Sequence, residues 1–159
     1  MKIKNEIKSF VLIKIIPIIE IIGGGWGIIL LANILIKTGE IYGVVLFIFI
    51  SGFSLFAFSV FAGKRLLKND LSGYIYSFIN LALQVIQISG GNYKYSYTAF
   101  PAVLIGFSEG KLSFSLAILP SFNMAINSSS QHFAIINLFP AALFLLLLWY
   151  YKEFKTVKI

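Results

Sequence analysis

Four polar side chains recur along a stretch of the chain that is otherwise apolar. Ser77, Asn80, Gln84 and Gln87 follow one another at spacings of three, four and three residues. At about 100° per residue, this spacing places them along one line of an α-helix. Amides and hydroxyls that face lipid would lack hydrogen-bond partners. The stripe is therefore expected to face protein or water.

Two kinds of chemistry suit this polar stripe, which we define as Ser77, Asn80, Gln84 and Gln87. In the first, the amides bond to a neighbouring helix, and each contact contributes about 0.6 to 2 kcal/mol. In the second, they line a polar path and replace part of the hydration shell of a solute. The first interpretation makes the stripe structural, and the second makes it a conducting surface.

Glu20 is the second candidate, because it is an acid inside an apolar run. A charge in that setting is costly unless it is paired, protonated or exposed to water. Gly23, Gly24 and Gly27 follow it and would form a flat surface for close helix packing. We expect Glu20 to bond to an amide of the third helix. The alternative is a proton-coupled or cation-binding role.

Four apolar runs are available to position these residues, at residues 10–36, 41–63, 71–89 and 133–151. Each is long enough, at 1.5 Å per residue, to cross a hydrocarbon core of about 30 Å. The chain is 58% hydrophobic, and its mean hydropathy is +0.90. The sequence thus predicts an all-α integral membrane protein, a single domain of residues 1–159 with four transmembrane helices.

Basic residues predict the orientation of these four spans, because Lys and Arg resist translocation. Ten would lie on one side, namely Lys2, Lys4, Lys8, Lys14, Lys64, Arg65, Lys68, Lys152, Lys155 and Lys158. Only Lys37, Lys94 and Lys111 would lie on the other. Both termini are therefore predicted to be cytoplasmic. The scarcity of Arg beside many Lys suggests the inner (plasma) membrane of a bacterium.

Residues 90–131 differ from the apolar runs because polar and apolar residues alternate there. Such alternation is typical of β-strands, and it occurs at residues 93–98, 111–119 and 121–127. A tight turn at residues 108–111 would join the apolar run 102–107 to the strand at 111–119. We predict a small extracytoplasmic antiparallel β segment between the third and fourth helices. The alternative is a re-entrant hairpin that enters the bilayer between Pro101 and Pro120.

Several classes of function are disfavoured by what the sequence contains. The absence of cysteine excludes disulfides and thiolate metal sites. His132, the single histidine, has no evident metal-binding or catalytic partners. Basic residues flank apolar runs instead of forming one soluble face, so no nucleic acid is expected. No catalytic residue, cofactor or metal site is predicted, and the chain is expected not to be an enzyme.

The resulting hypothesis is a binding or structural subunit of a membrane complex. It would act through the polar stripe and the external β segment, with the lipid bilayer and a protein partner or a second copy as its partners. The alternative is an oligomeric channel or carrier for a small solute or ion, lined by the amides of the third helix together with Glu20. The ligand is not indicated by the sequence.

Overall fold

The computed structural model describes residues 14–39, 42–90, 92–99, 101–108, 111–126 and 133–157. Lys2, Lys4, Lys8, Lys158 and His132 lie outside these residues. The helices are α1 (Ile16–Lys37), α2 (Gly43–Leu67), α3 (Leu71–Val85) and α4 (Leu138–Val157). The strands are β1 (Ile86–Gly90), β2 (Tyr93–Thr98), β3 (Ala102–Ser108), β4 (Lys111–Ala117), β5 (Ser121–Ile126) and β6 (Phe133–Asn137).

Two of the helices, α1 and α2, are long and apolar enough to cross a membrane. Their 22 and 25 residues extend about 33 and 37 Å at 1.5 Å per residue. In contrast, α3 has 15 residues and extends only about 22 Å. The apolar part of α4 is also short, from Leu138 to Trp149.

The prediction of an all-α protein with four transmembrane helices is wrong, because strands replace part of the third and fourth predicted spans. The last helical residue of α3, Val85, is followed at once by β1. Likewise, Asn137 ends β6 and Leu138 begins α4. Each of these predicted spans is thus a helix joined directly to a strand.

The physical reason for the error lies in the overlap of two periodicities around Gln87. It continues the helical stripe, but Ile86, Gln87, Ile88 and Ser89 also alternate between apolar and polar as a strand does. Pairing across the sheet decides between the two: β1 pairs with β2 on one side and with β6 on the other. The β6 partner is about fifty residues away, so a local pattern does not show it.

The six strands form one antiparallel sheet in the order β4-β3-β6-β1-β2-β5. Strands β2 to β5 lie in the segment where alternation predicts strands, and β3 and β4 form a hairpin with Ile105 opposite Phe114. The sheet is larger than the predicted segment because β1 and β6 occupy its centre.

The sheet lies beside the helices and is not a separate segment beyond their ends. The ring of Phe122 on β5 lies at Gly52 of α2, where an added Cβ would be 2.7 Å from it. The hydroxyl of Tyr97 on β2 donates to the backbone oxygen of Leu55, 3.0 Å away. Both contacts fall in the middle of α2.

One face of the sheet is apolar and exposed over the four strands β1, β6, β3 and β4, whereas on β2 and β5 the same face carries Tyr97 and Phe122, which pack on α2. Ile86 pairs with Ile136, Ile136 with Ile105, and Ile105 with Phe114, so these side chains share one face across four strands. We call this the outer face; its most exposed residues are Ile86, Ile88, Phe107, Leu112, Phe114, Leu116 and Ile136. The opposite, inner face carries Gln87, Ser89 and Thr98, which are buried.

A short polar turn joins α2 to α3. Asp70 caps α3, since its carboxylate accepts from the Ser72 hydroxyl at 2.8 Å and from the Ser72 backbone N–H at 3.3 Å. These bonds, aided by Arg65 at 3.3 Å, hold the pKa of Asp70 below its usual value. Asn69 has φ +52° and accepts from the hydroxyl of Tyr74. Asparagine is among the few residues that adopt this conformation readily.

Candidate functional site: a buried carboxyl and amide network

Glu20 on α1 is enclosed by α2 and α3, with only 2% of its surface exposed. One carboxyl oxygen accepts from the hydroxyl of Ser77 at 2.7 Å, and the other accepts from Nδ2 of Asn80 at 2.8 Å. The backbone oxygen of Glu20 accepts from the hydroxyl of Ser59 on α2 at 3.0 Å. One residue thereby joins three helices by hydrogen bonds.

Asn80 is the centre of the network. Its Nδ2 donates both to Glu20 and to the hydroxyl oxygen of Ser59, the latter at 3.1 Å. Its Oδ1 lies 3.2 Å from the hydroxyl of Tyr97, which is also close to the backbone oxygen of Leu55. The ring of Tyr97 packs edge-on against Phe56, with centroids 5.3 Å apart. Asn80 thus connects α1 and α2 to the sheet.

The two glutamines of the stripe extend the network along the sheet. Gln84 donates to the backbone oxygen of Asn80 at 3.2 Å and accepts from the backbone N–H of Ala99 at 2.8 Å. Gln87 donates to the hydroxyl of Thr98 at 3.1 Å and accepts from the hydroxyl of Ser96 at 3.0 Å. All four residues of the polar stripe are buried, and their amide and hydroxyl groups bond within the chain.

The glycines after Glu20 lie against α2. A Cβ at Gly24 would be 2.6 Å from the backbone oxygen of Phe56, and one at Gly27 would collide with the Phe56 ring. Gly23 is buried as well. On α2, a Cβ at Gly63 would be 2.6 Å from the backbone oxygen of Pro17. The two helices therefore approach too closely for larger residues at these positions.

A cavity of about 10 Å³ lies beside Glu20 and Gln84, closed by Ala99, Phe139 and Pro140. That volume is enough for roughly one water molecule and no larger ligand. Within the part of the chain that the structure describes, no group of three or more His, Cys, Asp or Glu side chains is placed to hold a metal ion. The arrangement is suited to fixing helices in position.

Two members of the network, Ser59 and Tyr97, are absent from the sequence prediction, and so is a separate buried amide, Asn137. Ser59 and Tyr97 become visible only when α2 and β2 are packed on α3. Asn137 carries a local signal, since Asn often caps a helix and a proline follows in the first turn of α4. Its Oδ1 accepts from the backbone N–H groups of Val103 and Phe139, at 3.1 and 3.3 Å. Its Nδ2 is buried without a partner among the described atoms.

Outside this network the surface is strongly apolar. An open groove of about 310 Å³ runs between α3 and α4, lined by Ala82, Val85, Ile86, Ala141, Phe144 and Leu145. Large exposed side chains on α1 and α2 include Ile22, Trp26, Ile29, Phe47 and Ile50. The outer face of the sheet adds to this surface.

Comparisons with protein-family models, with curated proteins and with solved structures find no match for the chain.

Proposed function

We propose that this chain is a small, non-catalytic binding or structural subunit embedded in a membrane. The observation that carries the proposal is the distribution of polarity. Glu20 and the polar stripe are buried and bonded to one another, whereas the exposed surfaces of α1, α2 and the outer face of the sheet are apolar. In water this arrangement would expose far more apolar surface than a monomeric protein tolerates. In lipid it is the favourable one.

The helix and strand junctions support embedding of the sheet as well as of the helices. The 15 residues of α3 and the five of β1 provide about 39 Å of chain, close to the length of α2. Backbone groups in hydrocarbon need partners, and β1 has strands on both sides. The predicted alternative, a hairpin that enters the bilayer, agrees with this placement more closely than an external segment does.

The basic residues at one end of the helices indicate which side of the membrane that end faces. Lys64, Arg65 and Lys68 lie at the end of α2, beside the start of α3. Tyr151 on α4 packs against Tyr74 there, with ring centroids 6.2 Å apart, so α4 ends on this side too. Because basic residues stay on the cytoplasmic side, we assign this end to the cytoplasm, in a bacterial plasma membrane.

The same observations weigh against the channel or carrier interpretation for a single copy. The amides that would line the path are occupied by Glu20, Ala99, Thr98 and Ser96. The adjoining cavity of about 10 Å³ has no room for a solute. A structural role for the network requires neither an opening nor a ligand.

Fractionation and reconstitution test the proposal. The chain is expected to stay with the membrane pellet after an alkaline carbonate wash, and vesicles that contain it should retain small ions as well as empty vesicles do. Release by the wash would contradict embedding. Ion leakage that disappears in the Gln84→Leu variant, with the variant still folded, would favour the channel.

A further inference from the structure

The two end strands of the sheet, β4 and β5, each have one strand partner among the described residues, β3 and β2 respectively. Each therefore leaves one row of backbone N–H and C=O groups with no strand beside it. On β5 the ring of Phe122 packs on α2. Side chains of a strand stand perpendicular to the sheet, so this contact covers a face of β5 and not its edge.

Both end strands carry few of the features that usually prevent pairing with another chain. Neither contains a proline, and the single charged residue of the two is Lys111, at the first position of β4. Both are paired without a bulge along their whole length. If the sheet is embedded as proposed above, water is not available to satisfy the open rows.

The two end strands run in opposite directions, because five antiparallel pairings separate them. A second copy that stands beside the first in the same membrane orientation therefore brings its β5 antiparallel to β4 of the first. No copy is inverted by this contact. The basic residues Lys64, Arg65 and Lys68 then lie on one side of the membrane in every copy.

We propose that copies of this chain assemble head to tail in the membrane, with β4 of one copy paired antiparallel to β5 of the next. The inference rests on the membrane embedding proposed above. Copies in such an assembly are related by rotation about an axis along the membrane normal, and the interface joins two different surfaces of the chain. One sheet then runs through several copies.

The residues that would meet are what point to a second copy as the occupant. One line of directly paired residues crosses all six strands: Leu112, Phe107, Ala134, Ile88, Tyr95 and Met124. With the strands along the membrane normal, Leu112 of one copy therefore meets Met124 of the next, and Ser113 meets Asn123. Apolar residues thus meet on one face and polar residues on the other. Lys111 falls opposite Ala125, so like charges do not meet.

The apolar residues of β4 also gain cover in this arrangement. Leu112, Phe114 and Leu116 are 77%, 64% and 69% exposed on the outer face. In the same register Phe114 comes beside Phe122 of the next copy, whose ring lies at Gly52 of α2. The pairing therefore brings the apolar row of β4 next to a helix of the neighbouring copy.

Cysteine cross-linking tests this pairing directly, because the chain has no cysteine of its own. Residues opposite each other in an antiparallel pair have Cβ atoms about 4.5 to 5.5 Å apart, close to disulfide distance. In isolated membranes treated with an oxidant, a chain with both Ser113→Cys and Asn123→Cys should form a ladder of covalent dimers, trimers and larger products. Each single variant should stay monomeric, and co-expression of the two should give products no larger than dimers.

Ser113→Cys combined with Met124→Cys is the matched control, because Met124 is adjacent to Asn123 but points to the opposite face of the sheet. A tilt of the strands would slide the register in steps of two residues, which keeps each face together. Ser121→Cys and Ala125→Cys are therefore also combined with Ser113→Cys.

The pairing is overturned if none of these three combinations forms products larger than dimers faster than the control does. It is also overturned if the new disulfide forms only within one chain. A strand of a different protein would then be the partner of β4. Carbonate release of a chain that still forms the ladder would instead contradict only the membrane proposal.

Discussion

At the scale of single residues, the side chain of Asn80 joins three other elements by hydrogen bonds. It bonds to Glu20 on α1, to Ser59 on α2 and to Tyr97 on β2. A buried group that loses its partner costs about 1–3 kcal/mol. Loss of Asn80 would leave several such groups at once, so its effect should exceed that of an ordinary core substitution.

Asn80→Leu is expected to lower the free energy of unfolding by at least about 2 kcal/mol, because it strips donors or acceptors from Glu20, Ser59 and Tyr97. Ile79→Leu is the matched control, as Ile79 is the adjacent residue but is exposed on the apolar side of α3. Denaturant titration of the folded particle in detergent would compare them. Equal stability of the two variants would contradict the structural role of the network.

Asp70 makes a separate prediction about pH. Its pKa is lowered in the folded chain, so its contribution to stability is present above the usual aspartate value of about 3.9 and is lost as the pH falls further. Asp70→Asn keeps a capping side chain but removes the titration. The wild type should melt at a higher temperature than this variant near neutral pH, and the difference should vanish in acid. A difference that does not change with pH would exclude this linkage.

At the scale of elements, close approach of α1 and α2 depends on small residues at defined positions. Gly27 faces the ring of Phe56, whereas Gly25, two residues earlier, has no atom within 4 Å of a would-be Cβ. The two glycines occupy the same helix and differ only in the direction they face. They provide a matched pair for testing the packing.

Gly27→Ala should destabilise the chain by about 1–3 kcal/mol through overpacking. Gly25→Ala should be neutral or should stabilise it by up to about 1 kcal/mol, since alanine is the better helix former. Thermal melts of both variants in the same detergent would measure this. If Gly25→Ala is the more harmful substitution, the packing of α1 on α2 described above is incorrect.

Much of the element structure could be predicted from local patterns, and the exceptions share one cause. Long apolar runs predict α1 and α2, alternation predicts β2, β4 and β5, and a tight turn predicts that β3 pairs with β4. The helical spacing of the polar stripe holds from Ser77 to Gln84, but Gln87 lies on β1. The residues around Gln87 fit the spacing of a helix and the alternation of a strand equally well. Only pairing of β1 with the distant β6 decides between them.

The candidate site was likewise only partly visible in the sequence. Glu20 and Asn80 can be recognised in the sequence because they are polar residues within apolar runs. Hydrocarbon offers them no hydrogen-bond partner, so the protein has to supply one. Their partners Ser59 and Tyr97 have no such signal, since serine and tyrosine are common in helices and strands of any kind. The orphan Nδ2 of Asn137 is a property of packing alone.

At the scale of the whole molecule, the proposed embedding in a membrane would explain both the buried polar network and the apolar surface. Glu20 and the polar stripe are paired inside, and the exposed sides of α1 and α2 and the outer face of the sheet are apolar. The free edge at β4 interrupts this arrangement.

Collision measurements on spin labels test most directly whether the outer face of the sheet contacts lipid. Labels would be attached to Ile88→Cys and Phe107→Cys on that face, with Lys68→Cys in the polar turn after α2 as the control. In reconstituted vesicles, both outer-face labels should collide more often with oxygen, which dissolves in lipid, than with a water-soluble nickel chelate. The label at Lys68 should show the reverse. If the labels at Ile88 and Phe107 behave like the one at Lys68, the sheet lies in water and the proposed membrane embedding of the sheet is wrong.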